Sequence, residues 1–380
     1  MRVFILTGEP SGDLHGAHLA RALRALDPTI EISGVGGTRM TEAGVQVVIN
    51  SEHWGAIGIA EALTKVPLLV RRKHQLVKLL RADPPDVLIT IDFGYFNVRV
   101  IRDVRSAVSR ILYYIPPGCW SRQRAAGRLP FMVDAIATPF PWSAENLRAA
   151  HGTAQIEWVG HPLLDYCHSD FTRAQARELL SLPPDQPVVA LVPGSRSAEL
   201  KHILPTFLAT VKLLQPQPAV LITVAPSLGE ARVRKMIPPG MEVRLLRGID
   251  YGLLQAADAA LVTSGTATLE LAILGMPMVI AYRTGWLSNI QIRILLLNRE
   301  KRGLRFIGLP NILADAPIVP ELFQESATPE LLANALTPLL ADTDQRRAQL
   351  TGFHSMRQNL GEAGAVERTA KMVIGLGLSR

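Results

Sequence analysis

One pattern opens each half of this 380-residue chain: a short apolar run, a glycine-bearing loop, then apolar residues at helical spacing. In the first half Val3–Leu6 enters Thr7-Gly8-Glu9-Pro10-Ser11-Gly12-Asp13, after which Leu14, Ala17, Leu19, Ala22, Leu23 and Leu26 recur with helical period. In the second, Val188–Val192 enters Pro193-Gly194-Ser195-Arg196-Ser197-Ala198-Glu199, and a helical pattern runs from Leu200 to Leu214. Strand, loop and helix in that order start an open parallel sheet. Two such starts predict an α/β chain of two Rossmann-like, doubly wound domains facing across a cleft. The length agrees, because 380 residues exceed what one hydrophobic core ordinarily serves.

Further strands are expected at Ile30–Val35, Val45–Ile49, Val87–Ile91, Ile111–Ile115 and Ala135–Ala137, with helical pattern between them, as at Leu68–Leu80. The second half continues with Val220–Val224, Val243–Leu246, Ala259–Val262 and Met278–Ala281. Pro162, Pro183 and Pro184 place the linker near 160–184. The expected domains are 1–165 and 166–351. Helices at 344–361 and 363–374 follow, and the segment 352–380 is a candidate to return and complete the first domain.

Composition removes several classes of function. Two cysteines, Cys119 and Cys167, stand at no disulfide-framework or metal-ligand spacing, which fits a reducing, cytoplasmic compartment. The longest apolar stretches fall short of the roughly 20 residues that span a bilayer. A net charge of +7 suits phosphorylated ligands, nucleic acid or an anionic membrane surface. Nucleic acid is disfavoured, because the basic residues are dispersed and not interleaved with aromatics. The segment 63–81 sets apolar residues among Lys65, Arg71, Arg72, Lys73, Lys78 and Arg81. That is the composition of a peripheral membrane helix, and equally of an amphipathic helix with its apolar face in the core.

Loops at the carboxyl edge of such sheets bind ligands, because helix N-termini there offer free N–H groups and a positive dipole end. The Gly8–Asp13 loop matches neither the P-loop nor the G-x-G-x-x-G pattern, so Gly8 is read as permitting the turn, and Ser11 and Asp13 as helix caps or ligand contacts. Arg196, at a helix start, suits a phosphate or is simply a surface cation. Ser264-Gly265-Thr266-Ala267-Thr268 combines hydroxyls with a glycine for close approach to a diphosphate, and Glu270 lies one turn on, where a carboxylate can hold a ribose. The same residues also read as a capping pattern. Asp92, at the end of Val87–Ile91, is a candidate general base or a turn cap. His15 and His18 lack a third ligand and are read as polar or phosphate-contacting positions; no metal site and no cofactor are expected.

Taken in order, Gly8–Asp13, Gly34-Val35-Gly36-Gly37 with Arg39-Met40, Ile91-Asp92 with Phe96-Asn97, Gly160-His161-Pro162, Leu191–Arg196, Ser264–Glu270 and Leu309-Pro310-Asn311 resemble the motifs of lipid-A-disaccharide synthases along nearly the whole chain. The resemblance implies a GT-B glycosyltransferase, needing no metal, that joins UDP-2,3-diacylglucosamine to 2,3-diacylglucosamine 1-phosphate. It implies that Asp92 is the base, that Arg196, Ser264, Gly265, Thr266 and Ala267 neutralise the diphosphate, that Glu270 holds the ribose and that Asn311 belongs to the nucleotide site. Glu9, Ser11, Gly12, Asp13 and Asn97 are then acceptor-side residues. Two departures fall on that side: Tyr95 replaces an acidic residue, and Tyr113-Tyr114-Ile115-Pro116-Pro117-Gly118-Cys119-Trp120-Ser121-Arg122 stands where the family has a Ser-Pro and Trp-Ala-Trp segment. They leave open a paralogue acting on another amphiphilic acceptor, or a nucleotide-sugar-binding protein without activity. Oligomeric state is not readable from the sequence.

Overall fold

A computed structural model of the chain describes residues 1–52, 54, 58–122, 127–225, 228–283 and 305–378. The chain divides into two units, Met1–Asp165 with Leu360–Arg380, and Tyr166–Asn359. In the first unit, β1 (Arg2–Leu6), β2 (Glu31–Gly36), β3 (Gln46–Asn50), β4 (Val87–Ile91), β5 (Arg110–Tyr114), β6 (Ala135–Thr138) and β7 (Gln155–Trp158) form one sheet in the order β3-β2-β1-β4-β5-β6-β7. In the second, β8 (Val188–Val192), β9 (Ala219–Val224), β10 (Arg244–Arg247), β11 (Ala259–Thr263), β12 (Met278–Tyr282) and β13 (Glu321–Phe323) are ordered β10-β9-β8-β11-β12-β13. Every pairing in both sheets is parallel.

The helices of the first unit up to β7 are α1 (Pro10–Leu26), α2 (Thr38–Glu42), α3 (Gly58–Ala82), α4 (Gly94–Val104) and α5 (Pro141–Arg148). Then come α6 (Leu163–Tyr166), α7 (Arg173–Leu179), α8 (Ser197–Leu213), α9 (Glu230–Arg234), α10 (Tyr251–Leu254) and α11 (Thr266–Ile273). Further along, the described residues form α12 (Leu309–Ala314), α13 (Pro329–Leu336), α14 (Asp344–Gln358) and α15 (Ala365–Leu378).

Both faces of the first sheet are covered, which is why its strands read as continuous apolar runs. Val3 and Ile5 of β1 pack with Leu19 and Leu23 of α1 and Ala370 and Val373 of α15. Phe4 and Leu6, pointing the other way, pack with Leu76 and Leu80 of α3 and Val100 and Ile101 of α4. The chain's last helix thus completes the first unit. Asp165 fixes its start, its carboxylate accepting the N–H groups of Gly364, Ala365 and Val366, the last at 2.7 Å. By contrast α14 stays with the second unit, where the Gln349 side chain exchanges two hydrogen bonds with the backbone of Met278 at the start of β12.

Two strands lie outside the expected set, β7 and β13. Both are sheet edges and only partly buried, so neither carries the apolar run that marks an interior strand. The helix expected from Leu68 begins at Gly58 and runs through Pro67. Its second half buries Leu76 and Leu80, and its first half leaves Val66 and Val70 exposed.

Candidate functional sites at two switch points

In each sheet the direction of winding reverses once, between β1 and β4 and between β8 and β11. Strands on either side of such a point send their connections to opposite faces, leaving a crevice at their carboxyl ends. The loops that open there start at Thr7 and Asp92 in the first unit and at Pro193 and Ser264 in the second. These are the four loops that the sequence singles out.

Asp92 ends β4 with a φ of 45°, and Phe93 follows at 44°. Two consecutive non-glycine residues in the left-handed region cost roughly 1–2 kcal/mol each. Asp92 as a residue is half-buried. Burial pushes its pKa up to about 6, and the negative charge of Glu9, on the loop after β1, adds to the shift. Beneath it, the fully buried Asn97 donates through Nδ2 to the carbonyls of Asp92 at 2.8 Å and Ile91 at 3.1 Å. Tyr113, to which the sequence assigns no role beyond opening the departing segment, donates its hydroxyl to the same Asp92 carbonyl at 2.6 Å. The continuous buried run of β5 offers no signal for that role.

The glycines of the first loop serve packing. A Cβ on Gly8 would lie 2.2 Å from the Phe93 ring, and one on Gly12 would lie 1.8 Å from Thr7 Oγ1. Gly8 is therefore required by the approach of Phe93, and not, as expected, by turn geometry. Glu9 stands at the N-cap of α1, so Ser11 and Asp13 are inside the first turn and do not cap it. Asp13 instead reaches across to α2, where its carboxylate accepts the N–H groups of Gly37 at 2.6 Å, Arg39 at 3.0 Å and Met40 at 3.2 Å. Burial lowers His15 to about 3 and His18 to about 4, so both are neutral near pH 7 and carry no cationic attraction for phosphate.

At the second switch point Gly194 has a φ of 98°, and Arg196 is the N-cap of α8. Glu199, three positions on and nearly buried, lies with Oε1 3.5 Å from Arg196 Nη1. A Cβ on Gly194 would lie 2.3 Å from Glu199 Oε2, so the glycine makes room for this carboxylate. Burial raises the Glu199 pKa, and Arg196 works against that shift. The sequence signal for Glu199 was present, since Glu at the third helical position is the usual partner of an N-cap.

The N-terminus of α11 is open. Gly265 is its N-cap, no side chain caps it, and a Cβ there would meet nothing within 4 Å. Thr266 and Ala267 are half-buried beside it, and Thr268 turns its hydroxyl back to the Gly265 carbonyl at 2.8 Å. Ser264 Oγ lies 3.5 Å from the carbonyl of Ile307. Asn311 supports that contact from below: its Nδ2 donates to Val319 O and to Glu321 Oε1, each at 2.8 Å, and Glu321 accepts the N–H groups of Ile307 and Gly308. Asn311 is buried and engaged with the protein itself, so its contribution is to hold the loop. Glu270 is buried one turn into α11, where Oε2 accepts the Tyr251 hydroxyl at 3.2 Å. Among the described residues no group of three or more His, Cys, Asp or Glu is placed to hold a metal ion.

The chain matches the family described as lipid-A-disaccharide synthetase over residues 3–373. Lipid-A-disaccharide synthases of Syntrophotalea carbinolica, Geobacter metallireducens and Coxiella burnetii are 35%, 34% and 33% identical to it, over 98% of this chain and 94%, 96% and 98% of theirs. Among solved structures, Acinetobacter baumannii MurG superposes with a TM-score of 0.56 at 14% identity, covering 98% of this chain and 99% of that one. The S. aureus MnaA–UDP co-structure gives 0.64 at 12% identity, covering 99% and 97%. At those identities the likeness is one of fold, the GT-B fold, whereas the synthase relatives are matched almost end to end. This chain belongs to the lipid-A-disaccharide synthase family of glycosyltransferases.

Proposed function

We propose that the chain transfers the diacylglucosaminyl group of UDP-2,3-diacylglucosamine to the 6-hydroxyl of 2,3-diacylglucosamine 1-phosphate, giving the lipid A disaccharide 1-phosphate and UDP. The observation that carries the assignment of roles is the carboxyl of the half-buried Asp92, at the first switch point with a pKa of about 6. A base poised there is largely ionised at neutral pH and still basic enough to take a hydroxyl proton. As Asp92 takes that proton, the acceptor oxygen bonds to the donor's anomeric carbon and the bond from that carbon to the UDP oxygen breaks. The departing diphosphate gains charge, which the Arg196 guanidinium and the open N-terminus of α11 at Ser264, Gly265, Thr266 and Ala267 stabilise. Glu270 accepts the ribose hydroxyls in this reading, and Asn311 keeps the 307–308 turn against Ser264. Glu9, Ser11, Gly12, Asp13 and Asn97 form the acceptor side, with Asp13 and Asn97 shaping it through backbone contacts.

The test is direct. Incubated with both acylated sugars, the protein is expected to release UDP and phosphorylated disaccharide in equal amounts, read by mass spectrometry. UDP release without that disaccharide would favour another amphiphilic acceptor, and UDP binding without turnover of any donor would favour an inactive protein. Relatives that match the full chain favour neither alternative.

We also propose peripheral contact with a membrane through the first half of α3. No described helix is long and apolar enough to cross a membrane. Val66 and Val70, each 47% exposed, nonetheless share a helix face flanked by Lys65 and Arg71. Val66→Ser with Val70→Ser is expected to reduce co-sedimentation with anionic vesicles several-fold without changing the melting temperature. Equal co-sedimentation would remove the proposal.

A further inference from the structure

We infer that Tyr113 is a positioning residue of the transfer step: together with Asn97 it clamps the backbone carbonyl of Asp92 and thereby fixes where that carboxylate points. The inference rests on Asp92 being the base and adds what holds it in place.

Asp92 and Phe93 both occupy the left-handed region, with φ of 45° and 44°; Asp enters it more readily because its short carboxylate can accept a local hydrogen bond, here from the Phe93 N–H, whereas Phe has no such compensation. The ladder reaches Asp92 only through its N–H, which donates to Tyr114 O at 3.1 Å. Beyond that point the ladder ends: the Phe93 N–H donates locally to the Asp92 carboxylate, and two side-chain donors hold the Asp92 carbonyl. One is the Tyr113 hydroxyl at 2.6 Å, and the other is Asn97 Nδ2 at 2.8 Å. Both side chains are fully buried. The phenol stays protonated, since burial, reinforced by the charge of Asp92, raises its pKa well above the ordinary value. In an otherwise apolar layer with Phe4, Leu6 and Leu88 a phenylalanine would pack as well as this tyrosine; what the hydroxyl adds is a polar grip on the Asp92 carbonyl. Packing closes the other side, where the Phe93 ring sits over Gly8 so closely that no Cβ fits. With the carbonyl released, φ of Asp92 can relax towards the common region, and the carboxylate swings off the acceptor hydroxyl towards water.

Tyr113→Phe removes the hydroxyl and keeps the ring. The expected result is a kcat at least ten-fold lower, KM values for both substrates within two-fold, and an acid limb of the pH–kcat profile displaced below its wild-type position as Asp92 becomes more solvated. An unchanged kcat with an unmoved acid limb overturns the inference, whatever happens to the melting temperature. Should Tyr113→Phe fail to fold, Asn97→Ala removes the other donor and carries the same two expectations. A wild-type protein that transfers no sugar would instead count against the reaction assigned above. The clamp is then read from the Asp92 carboxyl carbon by NMR titration: a midpoint near 6 in the wild type that falls in Tyr113→Phe supports it, and an unmoved midpoint overturns it.

Discussion

Asp92 is held in a state that opposes stability, as the proposed base role requires. Its carboxyl titrates at about 6 in the fold against an ordinary value of 3.8, so the folded state resists ionising it. Stability attached to this group is therefore complete below about pH 4 and is lost as pH rises through 6. A displacement of that size corresponds to about 3 kcal/mol, and because the residue is only half-buried the cost lies nearer 1–2 kcal/mol. Asp92→Asn, which cannot ionise, is expected to melt several degrees higher than the wild type at pH 7.5, with the advantage vanishing at pH 4. Its transfer rate should fall by about 10²–10⁴. Calorimetry at the two pH values and a UDP-release assay check both halves, and a variant no more stable at pH 7.5 would show that the carboxylate is not disfavoured in the fold.

Elements differ in how visibly the sequence announces them. Interior strands such as β4 and β8 occupy the residues their apolar runs mark, because a strand buried on both faces has nothing polar to interrupt it. The edge strands β7 and β13 lack that mark, and with β13 the role of Glu321 was hidden too. Among candidate site residues, the placement of Asp92, Arg196 and the α11 loop at strand ends was legible because a position after a strand can be read from the sequence. Tyr113 and the reach of Asp13 to α2 were not, since each depends on which strands become neighbours. The link from Asp165 to α15 is of the same kind, joining residues about two hundred positions apart. Asp165→Ala removes an acceptor shared by three N–H groups and is expected to cost about 1–2 kcal/mol. Faster proteolytic loss of α15, with the second unit unaffected, is the measurement, and equal rates would contradict it.

Across the whole molecule, acid should act unevenly. His15 and His161 are held at about 3 and His18 at about 4, burial being the main cause in each. Their folded pKa values lie below the unfolded value near 6.5, so the stability they contribute is present above that value and is lost as pH falls through the window from 6.5 to 3. Each can cost up to about 1.4 kcal/mol per pH unit. Three such groups outweigh Asp92, which changes in the opposite sense between 6 and 4. All three lie in the first unit, so stepwise acidification is expected to unfold that unit while the second persists. Hydrogen exchange resolved by segment at pH 5 would show it, and simultaneous loss of both units would refute it.

The return of α15 to the first sheet also bears on how the chain is made. A ribosome releases β1 to β7 long before Ala365–Leu378 emerge, and until then the face carrying Val3 and Ile5 has α1 but lacks Ala370 and Val373, which complete its cover. The second unit, continuous from Tyr166 to Asn359, has no such wait. The half of the protein synthesised first is therefore the half that finishes folding last, and it spends the interval with the part of that face α15 will cover open to chaperones.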